Sequence, residues 1–88
     1  MYYVYVLEIR SDLEEKLYVG YCRDLRKRVD DHLNRSTKTT KNYQKIKLIY
    51  YEACLNKTDA IKREYQLKTG FGRGYLKRRL INYISMRD

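Results

Sequence analysis

Three short runs of hydrophobic residues predict three β-strands. Residues 2–7 are apolar on both faces and rich in β-forming side chains, so this strand is expected to be covered on both sides and central in its sheet. The polar residues 10–15 predict a hairpin loop, after which residues 16–22 return as a second strand. Residues 46–54 predict a third strand, apolar on both faces apart from Lys47 and Glu52.

An amphipathic segment after the second strand predicts the first helix. It is expected to run from about Asp24, a favourable N-cap residue, to position 34. Leu25, Val29 and Leu33 recur at helical spacing and predict the apolar stripe that faces the core.

Two further helices are predicted after the third strand. Asn56 is a favourable N-cap, and Asp59 places a negative charge in the first turn, so a helix is expected from there to about Thr69. Glycines within residues 70–74 predict a hinge or tight loop, and residues 75–84 predict the last helix.

The order β-β-α-β-α-α predicts an α+β fold, with a three-stranded, largely antiparallel sheet flanked by helices. A chain of 88 residues is expected to form one domain, residues 1–88. The first apolar run is too short for a signal-peptide core and has no basic leader, and no segment approaches the length of a transmembrane helix. The simplest expectation is a cytoplasmic protein.

The charge of the chain is strongly positive. Lys and Arg total 20 against 11 Asp and Glu, which gives a formal net charge of +9. Such an excess favours polyanions through counterion release, and nucleic acid is the commonest of these partners. Residues 35–45 carry four basic side chains and several hydroxyls without apolar periodicity, so they predict an exposed loop suited to phosphate contact. The side chains expected to contact nucleic acid are Arg26, Lys38, Lys41, Lys45, Lys68, Arg73, Lys77 and Arg78.

A group of reactive side chains is centred on the second strand and the first helix. Tyr18 and Gly20 lie two apart and project from one face of a strand, so the missing side chain leaves space beside the phenol. Arg28 and His32 lie four apart on one edge of the helix that follows. Tyr5 lies on the adjacent strand, and its hydroxyl is expected to reach the same cleft.

Glu64 is the charged residue that local packing explains least well. It lies between Ala60 and Leu67 in the apolar stripe of the second predicted helix, where an unpaired carboxylate is unfavourable. One interpretation is a salt bridge to Arg28 or Lys68. The other is a ligand for a hard divalent ion, since Mg²⁺ prefers a carboxylate, waters and phosphate oxygens to an all-protein cage.

The same residues, in this order and spacing, resemble the GIY-YIG nuclease domain. The resemblance spans nearly the whole chain and is closest to small members that consist of little but this domain. The first motif departs from the pattern because Tyr3 stands where the glycine gives the family its name, and Tyr21 stands where some members have a lysine. The motif residues are Tyr3-Val4-Tyr5, Tyr18-Val19-Gly20, Arg28, His32 and Glu64, with further similarity over residues 47–53 and 63–68.

The resemblance implies a phosphodiesterase that uses Mg²⁺ or Mn²⁺. By analogy, Tyr18 would orient or deprotonate the attacking water, and Arg28 would stabilise the extra negative charge on the scissile phosphate. Glu64 would hold the metal ion, Tyr5 would assist near the nucleophile, and His32 would contact the active site. Metal activation of water and an electrostatic clamp on phosphate are the usual means of phosphodiester hydrolysis.

Three hypotheses about function follow from the sequence. The first is an endonuclease that cuts DNA, or RNA, with weak sequence preference because no separate targeting domain is present. The second is a non-catalytic nucleic-acid-binding module in which Glu64 and Arg28 form a structural ion pair. The third is a protein-interaction domain whose positive charge is incidental, which would show little salt-sensitive binding to DNA.

Overall fold

A computed structural model describes residues 1–86 of the chain. It contains three strands and four helices in chain order: β1 (Tyr2–Arg10), β2 (Glu15–Cys22), α1 (Leu25–Leu33), β3 (Lys45–Cys54), α2 (Lys57–Leu67), α3 (Gly70–Arg79) and α4 (Ile81–Met86). None of the helices within residues 1–86 is long and apolar enough to cross a membrane. The predicted α+β fold is confirmed.

The sheet is antiparallel throughout, with β1 between β2 and β3. The prediction that the first strand is central is therefore confirmed, and its two apolar faces explain why. The strand is longer than its hydrophobic run, because residues 8–10 continue the pairing with both neighbours. The register of the β1–β3 pairing shifts between Val6 and Leu7, which pair with Tyr50 and Leu48, so Ile49 is the extra residue of a bulge in β3.

The alternation of side chains along β1 divides the core into two halves. Tyr5, Leu7 and Ile9 are buried on one face, which we call the α1 face because Leu25 of α1 packs there. Val4 and Val6 are buried on the other, which we call the α2 face. That face is covered by Ala60 and Leu67 of α2 and Leu76 of α3.

The predicted N-caps of the first two helices are confirmed. The Asp24 carboxylate accepts a hydrogen bond from the backbone N–H of Lys27, and the Asn56 side chain accepts from those of Thr58 and Asp59. Both caps satisfy donors that the first helical turn leaves unpaired.

The prediction of a hinge or tight loop at residues 70–74 was wrong. These residues form the first turns of α3, and the Thr69 hydroxyl caps them by accepting from the backbone N–H of Gly72. Gly72 is buried against the backbone of Leu67, so the glycine permits close contact between successive helices rather than a break. The last predicted helix is in fact two, because α3 ends at Arg79 and α4 begins at Ile81.

The prediction of an exposed loop at residues 35–45 was wrong in part. Thr37 and Thr40 are buried, and Arg35 donates to the backbone carbonyls of Tyr43 and Gln44 as well as Leu33. The segment is thus fastened to the body of the protein at several points. Lys45, which was expected to lie in this loop, is the first residue of β3.

Ionic and polar contacts fasten the helices to the α2 face. Arg63 of α2 forms two hydrogen bonds to the Glu52 carboxylate on β3, at 2.9 and 3.0 Å, and lies over the ring of Tyr75 at 4.6 Å. On β1, the buried Glu8 carboxylate accepts a hydrogen bond of 2.8 Å from the Tyr83 hydroxyl of α4. The charged side chains of Glu8, Glu52 and Arg63, which lie near the core, therefore each have a hydrogen-bond partner.

Replacing Gly72 with alanine should destabilise the protein. A Cβ atom at this position would lie 2.2 Å from the Leu67 carbonyl oxygen, so α2 and α3 would have to separate. We expect the free energy of unfolding, measured by urea denaturation, to fall by about 1–3 kcal/mol, the usual effect of overpacking.

Gly70→Ala is the matched control for this prediction. A Cβ there meets nothing within 4 Å, so the same substitution two residues earlier should leave stability unchanged or raise it by up to about 1 kcal/mol through helix propensity. Equal effects of the two substitutions would show that helix propensity, and not the close contact, governs this turn.

Candidate active site

The centre of the candidate site is the ring of Tyr5, which packs over Gly20. The two residues are directly opposed in the β1–β2 pairing, and a Cβ atom on Gly20 would lie 2.3 Å from the Tyr5 ring. The space predicted beside Tyr18 is therefore not open, because the Tyr5 ring fills it. Tyr5 itself is only 1% exposed, so its hydroxyl does not lie at the rim of a cleft as the sequence predicted.

The Tyr5 hydroxyl joins β1 to α1 through two side chains. It lies 2.9 Å from the Nε2 atom of His32, and the Nε atom of Arg28 donates to it at 3.3 Å. His32 is completely buried, whereas Leu33 is 43% exposed. The predicted apolar stripe of α1 was thus wrong at Leu33, and the histidine takes the inward position because it has hydrogen-bond partners there.

Two buried threonines hold the far side of the imidazole. The Nδ1 atom of His32 lies 2.9 Å from the Thr40 hydroxyl and 3.2 Å from that of Thr37, and the two hydroxyls are 2.8 Å apart. Both residues come from the segment that joins α1 to β3. The histidine therefore has a partner on each ring nitrogen, and the connecting segment becomes part of the site.

Arg28 can only donate, which is consistent with one direction for these hydrogen bonds. The Tyr5 oxygen accepts from Arg28, so its own O–H is free to donate to the Nε2 atom of His32. The Nδ1 atom then carries the proton and donates to Thr40. This chain of donors matches the neutral tautomer of His32 that carries its proton on Nδ1.

Burial reinforces that protonation state. It raises the pKa of Tyr5 to about 12, although the hydrogen bond from Arg28 opposes the shift. Burial also lowers the pKa of His32, and the nearby charge of Arg28 lowers it further. At neutral pH, Tyr5 is therefore a protonated phenol and His32 an uncharged imidazole.

Tyr18 and Arg28 form the more accessible part of the site, since both are only partly buried. The Tyr18 ring lies edge-on to His32, with centroids 5.4 Å apart, and its centroid is 6.3 Å from that of Tyr5. The hydrogen bond to Tyr5 raises the pKa of the Arg28 guanidinium, and the phenol of Tyr18 adds to this effect. A fixed positive charge and a phenol are thus presented side by side.

Glu64 lies apart from this cluster, on the helix that covers the α2 face. Its carboxylate forms an i,i+4 ion pair of 3.1 Å with Lys68, and its side chain is 22% exposed. Of the two predicted partners, Lys68 is thus correct, and the structural ion pair between Glu64 and Arg28 was wrong. Arg28 instead donates to Tyr5.

A divalent metal ion would have to be held with few protein ligands. Within residues 1–86, no group of three or more His, Cys, Asp or Glu side chains could hold an ion together. Glu64 fits a site of the kind Mg²⁺ prefers, where one carboxylate is joined by waters and substrate phosphate oxygens. It is reachable from solvent, and the Lys68 side chain that pairs with it is 52% exposed and free to turn away.

The basic residues predicted to contact nucleic acid do not share one surface. Arg26, Lys38 and Lys41 are exposed on α1 and the segment after it, on the same side of the sheet as Tyr5. The others lie on α2, α3 and β3. Lys45 pairs with Glu8 at 3.4 Å and Lys68 with Glu64. Arg73, Lys77 and Arg78 are exposed on α3, which covers the opposite face.

Thr37 and Thr40 are site residues that the sequence did not predict. Both were assigned to a solvent-exposed loop because their segment has no apolar periodicity. Their burial depends on His32, which lies five and eight residues earlier and has no apolar signal of its own. No pattern in a single sequence links a histidine to hydroxyls in the following loop.

The open three-stranded sheet thus carries a tyrosine on each of two neighbouring strands, with an arginine and a histidine on the helix that follows. The family model described as the GIY-YIG catalytic domain matches residues 1–82. The match covers nearly the whole chain, and the chain therefore belongs to the GIY-YIG family of nuclease domains.

Relatives that the chain resembles include proteins named UPF0213 protein. That of Staphylococcus saprophyticus is 36% identical over 69 residues, which cover 77% of this chain and 80% of the relative. That of Clostridium perfringens is 39% identical over 69 residues, which cover 77% of this chain and 71% of the relative. No solved structure matches the chain significantly.

Burial of a neutral His32 should make stability depend on pH. Because the folded protein holds this pKa below its ordinary value of 6.5, the unfolded chain binds the proton more readily. The contribution is complete above about pH 6.5 and is lost as the pH falls toward the lower, folded pKa. Urea denaturation at pH 7.5 and at successively lower pH should show this loss.

The control is His32→Gln, which cannot take up the proton. His32 is the only histidine in the sequence, so this variant should be less stable at pH 7.5 but should lose the slope between pH 6.5 and the acidic carboxylate range. A slope that persists in His32→Gln would show that a group other than His32 causes it.

Proposed function

We propose that this protein is a metal-dependent endonuclease that hydrolyses phosphodiester bonds in DNA, with RNA as a possible second substrate. The observation that carries the proposal is the guanidinium of Arg28, held by the buried Tyr5 beside the more accessible Tyr18 in a chain of this nuclease family. Nucleases of this family generally depend on a divalent metal.

Arg28 binds the scissile phosphate in this proposal. Its guanidinium is always charged and presents several donors in a fixed plane, which suits a phosphate that gains negative charge during attack. The hydrogen bond from its Nε atom to Tyr5 leaves the two terminal nitrogens free for that phosphate. A donor held in place before the reaction stabilises the transition state more than a mobile one does.

Tyr18 orients the attacking water through its hydroxyl, which is the accessible phenol of the pair. Tyr5 and His32 act as positioning residues rather than by touching the substrate, because they are 1% and 0% exposed. They hold Arg28 and the Tyr18 ring in a fixed relation, and Thr40 holds His32 in turn.

Glu64 is the residue that would hold the metal ion, which supplies Lewis-acid stabilisation and lowers the pKa of a bound water. The carboxylate belongs to the helix over the α2 face, whereas Tyr18 faces α1. The two can serve one substrate because β2, which carries Tyr18, is an edge strand. A phosphodiester lying along that edge would be accessible to groups from both faces.

Weak sequence preference is part of the proposal. The exposed basic residues on α1, the following segment and α3 are lysines and arginines suited to phosphate oxygens, and phosphate contacts carry no direct sequence information. Binding should therefore weaken steeply with salt and little with base sequence.

Cleavage of supercoiled plasmid and single-stranded DNA in Mg²⁺, Mn²⁺ or EDTA tests the proposal. We expect metal-dependent nicking. Its rate should fall by about 100-fold or more in Arg28→Ala, the usual effect of removing one hydrogen-bond donor that stabilises a transition state. Glu64→Gln should abolish the metal response, while the free energy of unfolding should change by less than about 0.5 kcal/mol, since only an i,i+4 surface pair is lost.

The matched control is Glu15→Gln, which removes a carboxylate from the exposed ion pair with Arg10 on the β1–β2 hairpin. It should leave cleavage unchanged. Salt-sensitive DNA binding without cleavage in any metal would instead identify a binding module on a nuclease fold.

A further inference from the structure

A cleft of about 670 Å³ adjoins the candidate site on the α1 face. It lies where the start of β1, the end of β3 and the first turn of α1 meet. None of its lining residues takes part in the hydrogen-bond network that joins Tyr5, Arg28, His32, Thr37 and Thr40. Its lining residues are Tyr3, Arg23, Asp24, Leu25, Arg26 and Tyr51.

Two tyrosines form the floor of this cleft. Tyr51 is directly opposite Tyr5 in the β1–β3 pairing, so its Cα lies one strand spacing, about 5 Å, from that of Tyr5. Its ring contacts Tyr3 edge-on, with centroids 6.1 Å apart and planes at 63°. Tyr51 is nevertheless 52% exposed, so a large part of an aromatic side chain is left uncovered on the sheet.

The wall of the cleft is basic. Arg23 also lines the cleft, but its guanidinium carbon lies 5.7 Å from the ring centroid of Tyr2, which packs on the α2 face. Arg26 is exposed on the first turn of α1. The single acidic residue of the wall, Asp24, uses its carboxylate to cap α1. An anion in the cleft therefore meets Arg26 beside an aromatic surface.

We propose that this cleft binds one unpaired nucleobase, stacked on Tyr51, with Arg26 contacting an adjoining phosphate. The inference rests on the proposed nuclease function, because it assigns the base to a nucleotide next to the phosphate at Arg28. Tyr51 is paired with Tyr5 in the register of the sheet, so the cleft lies on the same face as the reaction centre, one strand away.

Stacking on an aromatic side chain requires a base that has left the double helix. Such a contact tolerates any base because every base has a π-face. The cleft therefore selects for unpaired nucleic acid without selecting sequence. Basic residues that act through charge alone, such as those on the other helices, would not select unpaired nucleic acid.

The test is a binding measurement in EDTA, where no cleavage occurs. Fluorescence anisotropy compares a short labelled oligothymidylate with an abasic oligomer of the same length and charge. The wild type should bind the oligothymidylate about 5- to 100-fold more tightly, the usual effect of stacking one base. Tyr51→Leu should abolish this preference and leave the affinity for the abasic oligomer unchanged.

Two variants control for the loss of a side chain. Tyr51→Phe keeps the ring and should keep the preference. Tyr65→Leu removes a tyrosine that is 77% exposed on α2, away from the cleft, and should also keep it. Circular dichroism and urea denaturation confirm that each variant is folded.

A wild type that binds both oligomers equally, or a Tyr51→Leu protein that keeps the preference, would overturn the proposal. Binding to a fully paired duplex shows whether the stacked base comes from paired DNA or from a single strand. If Tyr51→Leu weakens duplex binding too, the base is taken from paired DNA; if not, the cleft serves single strands. Because cleavage takes no part in the measurement, failure of the nuclease proposal is recognised separately, by the absence of metal-dependent nicking.

Discussion

The hydrogen bond between the Tyr5 hydroxyl and His32 is the contact on which the candidate site depends. It joins the central strand to α1 across 27 positions of sequence, at 2.9 Å, in a region closed to water. A hydrogen bond adds only about 0.5–1.5 kcal/mol, but a buried group that loses its partner is unfavourable by about 1–3 kcal/mol. Each member of the network is thus held by the others, from Arg28 at the solvent side to Thr40 in the connecting segment.

Gly20 is what makes that contact possible. Any side chain there would take the volume of the Tyr5 ring and force the hydroxyl away from His32. The glycine of the second family motif therefore acts in this protein through the tyrosine of the first motif. Two motifs that look like separate sequence signatures are two halves of one packing arrangement.

The two faces of the sheet have different physical tasks. On the α1 face, polar groups are buried in a closed chain of hydrogen bonds that ends at two accessible side chains, Tyr18 and Arg28. On the α2 face, charged groups hold helices in place, as the pair of Arg63 and Glu52 shows. Glu64 lies on the helix that covers the α2 face. The cleavage measurement decides whether it also holds a metal ion for the site on the α1 face.

Local signals predicted the parts of the structure that local physics determines. Asp24 and Asn56 were identified as N-caps because a cap is satisfied within three residues. The helix through Gly72 was not identified, because glycine is a weak helix former and only contact with Leu67 shows why it is required there. The burial of His32 was missed for the same reason, since its partners Thr37 and Thr40 are brought in by tertiary folding.

The hydrogen bond from Tyr83 to Glu8 has a consequence for the order in which the chain becomes available during synthesis. The two residues are 75 positions apart, so at 5–20 residues per second the carboxylate of β1 emerges about 4–15 s before its partner on α4. Within residues 1–86, the central strand is therefore made before the helix that donates a hydrogen bond to its Glu8 carboxylate. The ribosome must therefore release almost the whole domain before the central strand acquires its native surroundings.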